Sequence, residues 1–162
     1  MTSLIIKLVI AASIVSASAL ASVGGEQSVT KDDAVTMVKS AVSFIREQGP
    51  EKAYAEITNR SGRFVDRDLY IVVLALDGRV LAHGADPDLI GAYRSQAKDI
   101  DGKLFVKERI ELAGKQASFW QNYQSKNPVS KDVQPKDMYC ERLNDTIVCG
   151  GAYTPLAPPG GC

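Results

Sequence analysis

Leu69-Tyr70-Ile71-Val72-Val73-Leu74-Ala75-Leu76-Asp77-Gly78-Arg79-Val80-Leu81-Ala82-His83 is the stretch that decides the fold. The run Leu69 to Leu76 is apolar throughout and rich in Ile and Val, the composition of a strand. Asp77-Gly78 follows, a strong two-residue hairpin turn, and Arg79 to His83 returns alongside. A strand with no polar face implies a sheet covered on both faces. The rest of the chain has to supply two covers.

The first cover lies upstream. Thr30-Lys31-Asp32-Asp33 resembles a capping box with Asp in place of Glu or Gln. Behind it Ala34, Val35, Val38, Ala41, Val42 and Ile45 recur at helical spacing, and Gly49-Pro50 stops the helix. Glu51 to Ile57 reads as a second, short helix ended by Asn59-Arg60-Ser61-Gly62. Downstream, Gly84 to Tyr93 is loop with at most a helical turn, and Asp99-Ile100-Asp101-Gly102 is a turn. Phe105 to Ala113 reads as a helix and Ser118 to Ser125 as a strand. Asn127-Pro128 to Lys136 reads as a long polar connection, and Met138 to Tyr153 as a final hairpin. The order predicts an α+β domain with one antiparallel sheet and helices packed on it. The segment 84–115 is where a cavity on the second face can form.

In that final hairpin, Asn144-Asp145 is the two-residue turn. Counting outward sets Cys140 opposite Cys149 at a non-hydrogen-bonded pair, where Cα atoms lie about 4.5 Å apart, close enough for a disulfide. The alternative is two free thiols on a sheet. Cys162 is the odd cysteine, on the Pro/Gly-rich tail Thr154 to Cys162, and is expected to be exposed.

The 162 residues amount to about one domain. Lys+Arg and Asp+Glu both count 19, and a chain without basic excess argues against nucleic-acid binding. One histidine and three scattered cysteines do not build a zinc site of the usual kind, and no cofactor is expected. At the N-terminus Lys7 precedes the apolar run Leu8 to Ile14 and a small-residue tail ending Ala19-Leu20-Ala21. That is the pattern of a cleaved export signal over residues 1–21, with Ala17-Ser18-Ala19 as the alternative cleavage site and an uncleaved membrane anchor as the alternative role; cleavage leaves a domain at 22–153, a tail at 154–162 and a periplasmic location.

With its local sequences, this arrangement resembles the single Cache domain, the extracellular PAS-like sensor module of bacterial chemoreceptors and histidine kinases. The stretches that carry the resemblance are Phe64-Val65-Asp66-Arg67-Asp68-Leu69-Tyr70, Leu76-Asp77-Gly78-Arg79-Val80-Leu81-Ala82-His83-Gly84, Leu89-Ile90-Gly91, Lys98 to Lys103 and Phe105-Val106-Lys107-Glu108. Trp120, Tyr123, Asn127-Pro128, Pro135-Lys136 and Tyr139 complete the series, in the family's order over roughly residues 34 to 153. The resemblance implies a PAS-like antiparallel sheet of five or six strands with a long N-terminal helix on one face. It also implies a pocket on the other face, for a small carboxylate, amino acid or similar metabolite. The chain departs from the family at Ser125-Lys126, where many relatives carry an aromatic residue and proline, and it reads as a stand-alone exported Cache protein.

The ligand-binding candidates follow from chemistry placed on that frame. His83 ends the second strand at the pocket rim, where it can donate a hydrogen bond to a carboxylate. Tyr70, Trp120, Tyr123 and Tyr139 combine an apolar ring with a polar tip, which suits small-ligand sites. Lys107, Arg94 and Lys136 are candidate carboxylate partners, with Lys136 preferred. Asp99, Asp101, Gly102 and Glu108 match part of a calcium loop, but Ala97 stands where its first carboxylate belongs. No nucleophile motif such as G-x-S-x-G is present, so the chain reads as a binding module and not an enzyme. The expected partners are a small organic acid or amino acid, a membrane receptor or histidine kinase, and a second copy through the N-terminal helix. The competing readings are a structural or interaction protein with a degenerate pocket and, behind that, an exported enzyme.

Overall fold

Thr30 opens the long helix α1, Lys31–Gln48, in a computed structural model that describes residues 28–154. Its hydroxyl accepts from the Asp33 amide at 3.1 Å and the Asp33 carboxylate accepts from the Thr30 amide at 2.9 Å. Aspartate therefore closes the capping box. Gly49 ends α1 at φ 78°, and Pro50 opens α2, Pro50–Thr58, at a helix position where a missing amide hydrogen does no harm. Six strands follow: β1 Val65–Asp66, β2 Leu69–Ala75, β3 Val80–His83, β4 Ser118–Lys126, β5 Val133–Leu143 and β6 Thr146–Tyr153. A short 3-10 turn, Pro87–Leu89, and the helix α3, Phe105–Ala113, lie between β3 and β4.

All pairings are antiparallel, in the order β1-β2-β6-β5-β4, with β3 also on β2. The fold is α+β and PAS-like. β2 thus pairs with the last strand, β6, inside the sheet, and it is apolar on both faces because both are covered. On one face Ile71 and Val73 pack with Val148 and Tyr139 against Val38, Ala41, Val42 and Ile45 of α1. Gly150 lets α1 come close: a Cβ there would stand 3.0 Å from Ile71 Cδ1 and 3.1 Å from Val38 Cγ2. On the other face Tyr70, Val72 and Leu74 pack with Val80 and Tyr153 under Val106, so the second cover is the segment between β3 and β4.

The hairpin register is Leu143↔Thr146 out to Lys136↔Tyr153, and Cys140 pairs with Cys149. Their Cα atoms are 4.2 Å apart and a disulfide joins them. One boundary needs correction. Val133 to Lys136 is strand and not connection: Val133 pairs with Lys126 and Pro135 with Gln124. Pro135 hides this from a propensity reading, because proline is depleted in strands. Here it sits where β6 has run out, and its carbonyl accepts from the Thr154 amide at 2.9 Å. The leader 1–21 and Cys162 lie outside the described residues. No helix among the described residues is long and apolar enough to cross a membrane.

Candidate functional site

Between the sheet's second face and the segment that covers it lies a cavity of about 700 Å³, within the size range of small-molecule sites. β2 contributes Tyr70, Val72 and Leu74, β3 ends in it at His83, and β4 contributes Tyr123 and Ser125. From α3 come Phe105, Val106 and Arg109. The chain has no net charge, yet six basic side chains line this cavity, among them Arg60, Arg94, Lys98 and Lys126, against Asp86 and Asp99. The charge is therefore segregated, and the cavity favours an anion.

Arg109 is the centre of the site. It is 2% exposed and rests over the stacked rings of Phe105 and Tyr123, which are 4.6 Å apart. Its Nε donates to Gln121 Oε1 at 3.0 Å, and Gln121 Nε2 donates in turn to the Phe105 carbonyl at 2.8 Å and to the Glu108 carboxylate. Arg109 Nη2 is buried with no hydrogen-bond partner among the described residues. No carboxylate forms an ion pair with this guanidinium among the described residues. A buried donor without an acceptor is costly, and a charged one more so. The arrangement leaves one place for an incoming acceptor.

Lys136 stands one layer behind the cavity wall. It is 0% exposed, with Nζ 3.3 Å from the Tyr153 hydroxyl, 3.9 Å from the Tyr70 ring centre and 4.4 Å from that of Tyr153. Burial first, then the charge of Arg109, hold its ammonium well below the ordinary lysine range, and Asp68 opposes them. The Tyr153 hydroxyl is a hub. It donates to the Lys126 carbonyl at 3.0 Å and lies 3.3 Å from both Tyr70 Oη and Ser125 Oγ. Burial pushes Tyr153 up to about 12 and Tyr70 well above its usual range. Both hydroxyls stay protonated as donors.

His83 is held neutral. Its Nδ1 accepts from the amides of Asp86 at 2.9 Å and Ala85 at 3.3 Å, which leaves Nε2 carrying the proton. Its ring lies against Tyr70, 5.1 Å between centres. Burial, then Lys136, lower its pKa from 6.5 to about 4. As a ligand contact it would act as a neutral donor and not as a cation.

Of the residues singled out from the sequence, Tyr70, His83, Tyr123 and Arg94 line the cavity, and Lys136 lies directly behind it. The structure puts Lys107, Trp120 and Tyr139 elsewhere. Side chains alternate along a strand, so Trp120 cannot share a face with Tyr123, nor Tyr139 with Lys136. Trp120 is 42% exposed on the α1 side, under Lys31 and beside Tyr139, which belongs to the α1 core. Lys107 points to solvent, and Arg109, about 200° further round the helix, points inward. Arg109 and Gln121 went unnoticed in the sequence. The signals were there: Arg109 falls in register with Val106 and Ala113, and Gln121 shares parity with Phe119 and Tyr123. The Asp99 carboxylate is taken up by the amides of Asp101, Lys103 and Gln124, so it closes a turn. No cluster of metal-ligating side chains occurs among the described residues.

The chain matches the family described as Single Cache domain 2 over residues 7–154. Its fold is similar to that of a methyl-accepting chemotaxis protein from Vibrio parahaemolyticus RIMD 2210633, at 20% identity and TM-score 0.66 over 76% of this chain and 87% of that one. It is similar to a Cache chemosensory domain solved for carboxylic acid recognition, at 21% identity and TM-score 0.67 over 76% and 92%. A periplasmic sensor domain of a chemotaxis protein aligns at 22% identity and TM-score 0.62 over 76% and 90%. No curated protein matches the chain in sequence.

Proposed function

This chain belongs to the single Cache domain family, and from that premise we propose that it is an exported sensor module that binds a small organic acid. The ligand carboxylate is received by Arg109, with Tyr70, His83, Tyr123 and Lys136 shaping the rest of the site. The observation that carries this reading is the unpartnered Nη2 of a buried arginine beside an open cavity. A guanidinium aligned through its Nε by Gln121 offers its outer edge to a planar carboxylate. A Cache chemosensory domain of this fold recognises carboxylic acids, which agrees with the charge of the cavity. The basic lining disfavours amino acids, whose ammonium would meet Arg109 and the other cations of the cavity. A cavity of about 700 Å³ also stands against a pocket filled by its own side chains.

Export by the leader at 1–21 is supported by the Cys140–Cys149 disulfide, which belongs to an oxidising compartment. The polar outer side of α1, with Lys39, Ser43 and Arg46 exposed, is the surface we assign to a receptor, kinase or second copy. The test is a thermal-shift titration with propionate, pyruvate, succinate and the matching amides. The acids are expected to raise the melting temperature and the amides to leave it unchanged. Arg109→Gln should weaken acid binding by about 10- to 100-fold, the worth of a charge-assisted hydrogen bond. Equal shifts for acids and amides would refute the reading.

A further inference from the structure

Lys136 is the group that simple anion binding leaves unexplained. An ammonium has three donors, and among the described residues one hydrogen bond is made here, to Tyr153. No carboxylate forms an ion pair with it among the described residues. It is enclosed by two aromatic faces, Tyr70 and Tyr153, and the charge of Arg109 acts on it. A desolvated lysine beside a second cation sheds its proton readily and becomes a nucleophile. The fold makes room for it: a Cβ on Gly151 would stand 3.0 Å from Lys136 Cε and 2.6 Å from the Asp137 carbonyl oxygen. The hydroxyl it touches is connected to Tyr70 and Ser125, both of which line the cavity.

We propose that Lys136 captures a carbonyl-bearing acid, a 2-oxo acid, as a reversible imine. The inference rests on Arg109 holding the ligand carboxylate. That contact orients the adjacent carbonyl carbon for the amine. Tyr70, whose ring covers Nζ and lines the cavity, has to turn aside for the two to meet. The Nζ lone pair then forms a C–N bond as the carbonyl π bond breaks, and the amine's proton passes to the oxygen to give a carbinolamine. The C–O bond next breaks. The hydroxyl leaves as water with a proton relayed through Tyr153, and nitrogen loses its remaining hydrogen to restore the relay. One water is released, no electrons are exchanged, and hydration reverses the step.

The test is borohydride trapping on the full chain with pyruvate and 2-oxobutyrate as probes, and with propionate as the carbonyl-free control. The expected product is a single adduct at Lys136, with the mass of the acid less water plus two hydrogens, located by peptide mapping. Excess propionate should suppress it, Arg109→Gln should lower its yield by about tenfold or more, and Lys136→Arg should abolish it. A melting-temperature shift with pyruvate but no adduct at Lys136 would overturn the imine and leave the acid site standing. So would labelling spread over the exposed lysines. No shift with either pyruvate or propionate would overturn both.

Discussion

The two faces of the sheet are made by the same strands and bury opposite chemistry. Toward α1, Ile71, Val73 and Val148 meet Val38, Ala41 and Val42, an apolar contact with no charge in it. Toward α3, Lys136, Arg109 and Gln121 are buried among aromatic rings, and one arginine donor is unpartnered. The first face follows the ordinary logic of a core, in which each buried methylene contributes about 0.8 kcal/mol. The second holds dehydrated charge, which burial alone penalises. One layer of backbone thus separates a face that secures the fold from a face that an incoming anion would complete.

The largest effect should come from the α1 face. Ile71→Ala is expected to lower unfolding free energy by about 2–5 kcal/mol, measured by urea titration, while folded protein keeps its acid affinity. A loss well below that range would erase the contrast.

The next effect tests the cavity face through pH. His83 titrates at about 4 in the folded chain against 6.5 when unfolded. The unfolded state therefore takes up the proton first as pH falls. The stability that neutral His83 contributes is complete above pH 6.5, is lost progressively below it and is gone below about 4. The loss should reach about 3 kcal/mol. Urea midpoints across this window should fall in the wild type and fall much less in His83→Gln. Parallel curves would show that the histidine is not held as described.

The smallest effect is the most discriminating. Lys136→Met replaces a fully buried amine with an apolar side chain of similar length. It should leave stability unchanged within about 1 kcal/mol or raise it, while the borohydride-trapped adduct with pyruvate is lost and propionate binding is kept. A loss comparable to that of Ile71→Ala would make Lys136 part of the core and dissolve the distinction between the faces.

The sequence reading succeeded and failed along the same division. Local chemistry was legible in the Thr30 cap and in the Asn144-Asp145 turn that sets Cys140 against Cys149. Asp77-Gly78 does reverse the chain, but within a three-residue loop and not a two-residue one: the Ala75 amide donates to the Arg79 carbonyl, and the ladder beyond it carries a bulge. Strand parity was legible too, and applied strictly it would have kept Trp120 and Tyr139 out of a site containing Tyr123 and Lys136. Tyr70, Val72 and Leu74 do share the cavity face, opposite Ile71 and Val73. Val133 to Lys136 was obscured because strand propensity is a statement about packing, and the two neighbours of β5 come from distant parts of the chain.

By itself, then, the sequence determined the family, the α+β order of elements and which residues of a strand share a face, since these depend on residues a few positions apart; which face meets the cavity it left open. Tertiary structure decided which cations lose their water. Lys107 and Arg109 are two residues apart on one helix, and Lys136 lies thirteen strand and loop positions from Tyr123. Nothing in their identities distinguishes the solvated from the buried. That difference arises only when α3 closes over β4 and β2, because dehydration belongs to the assembled cavity and not to any side chain within it.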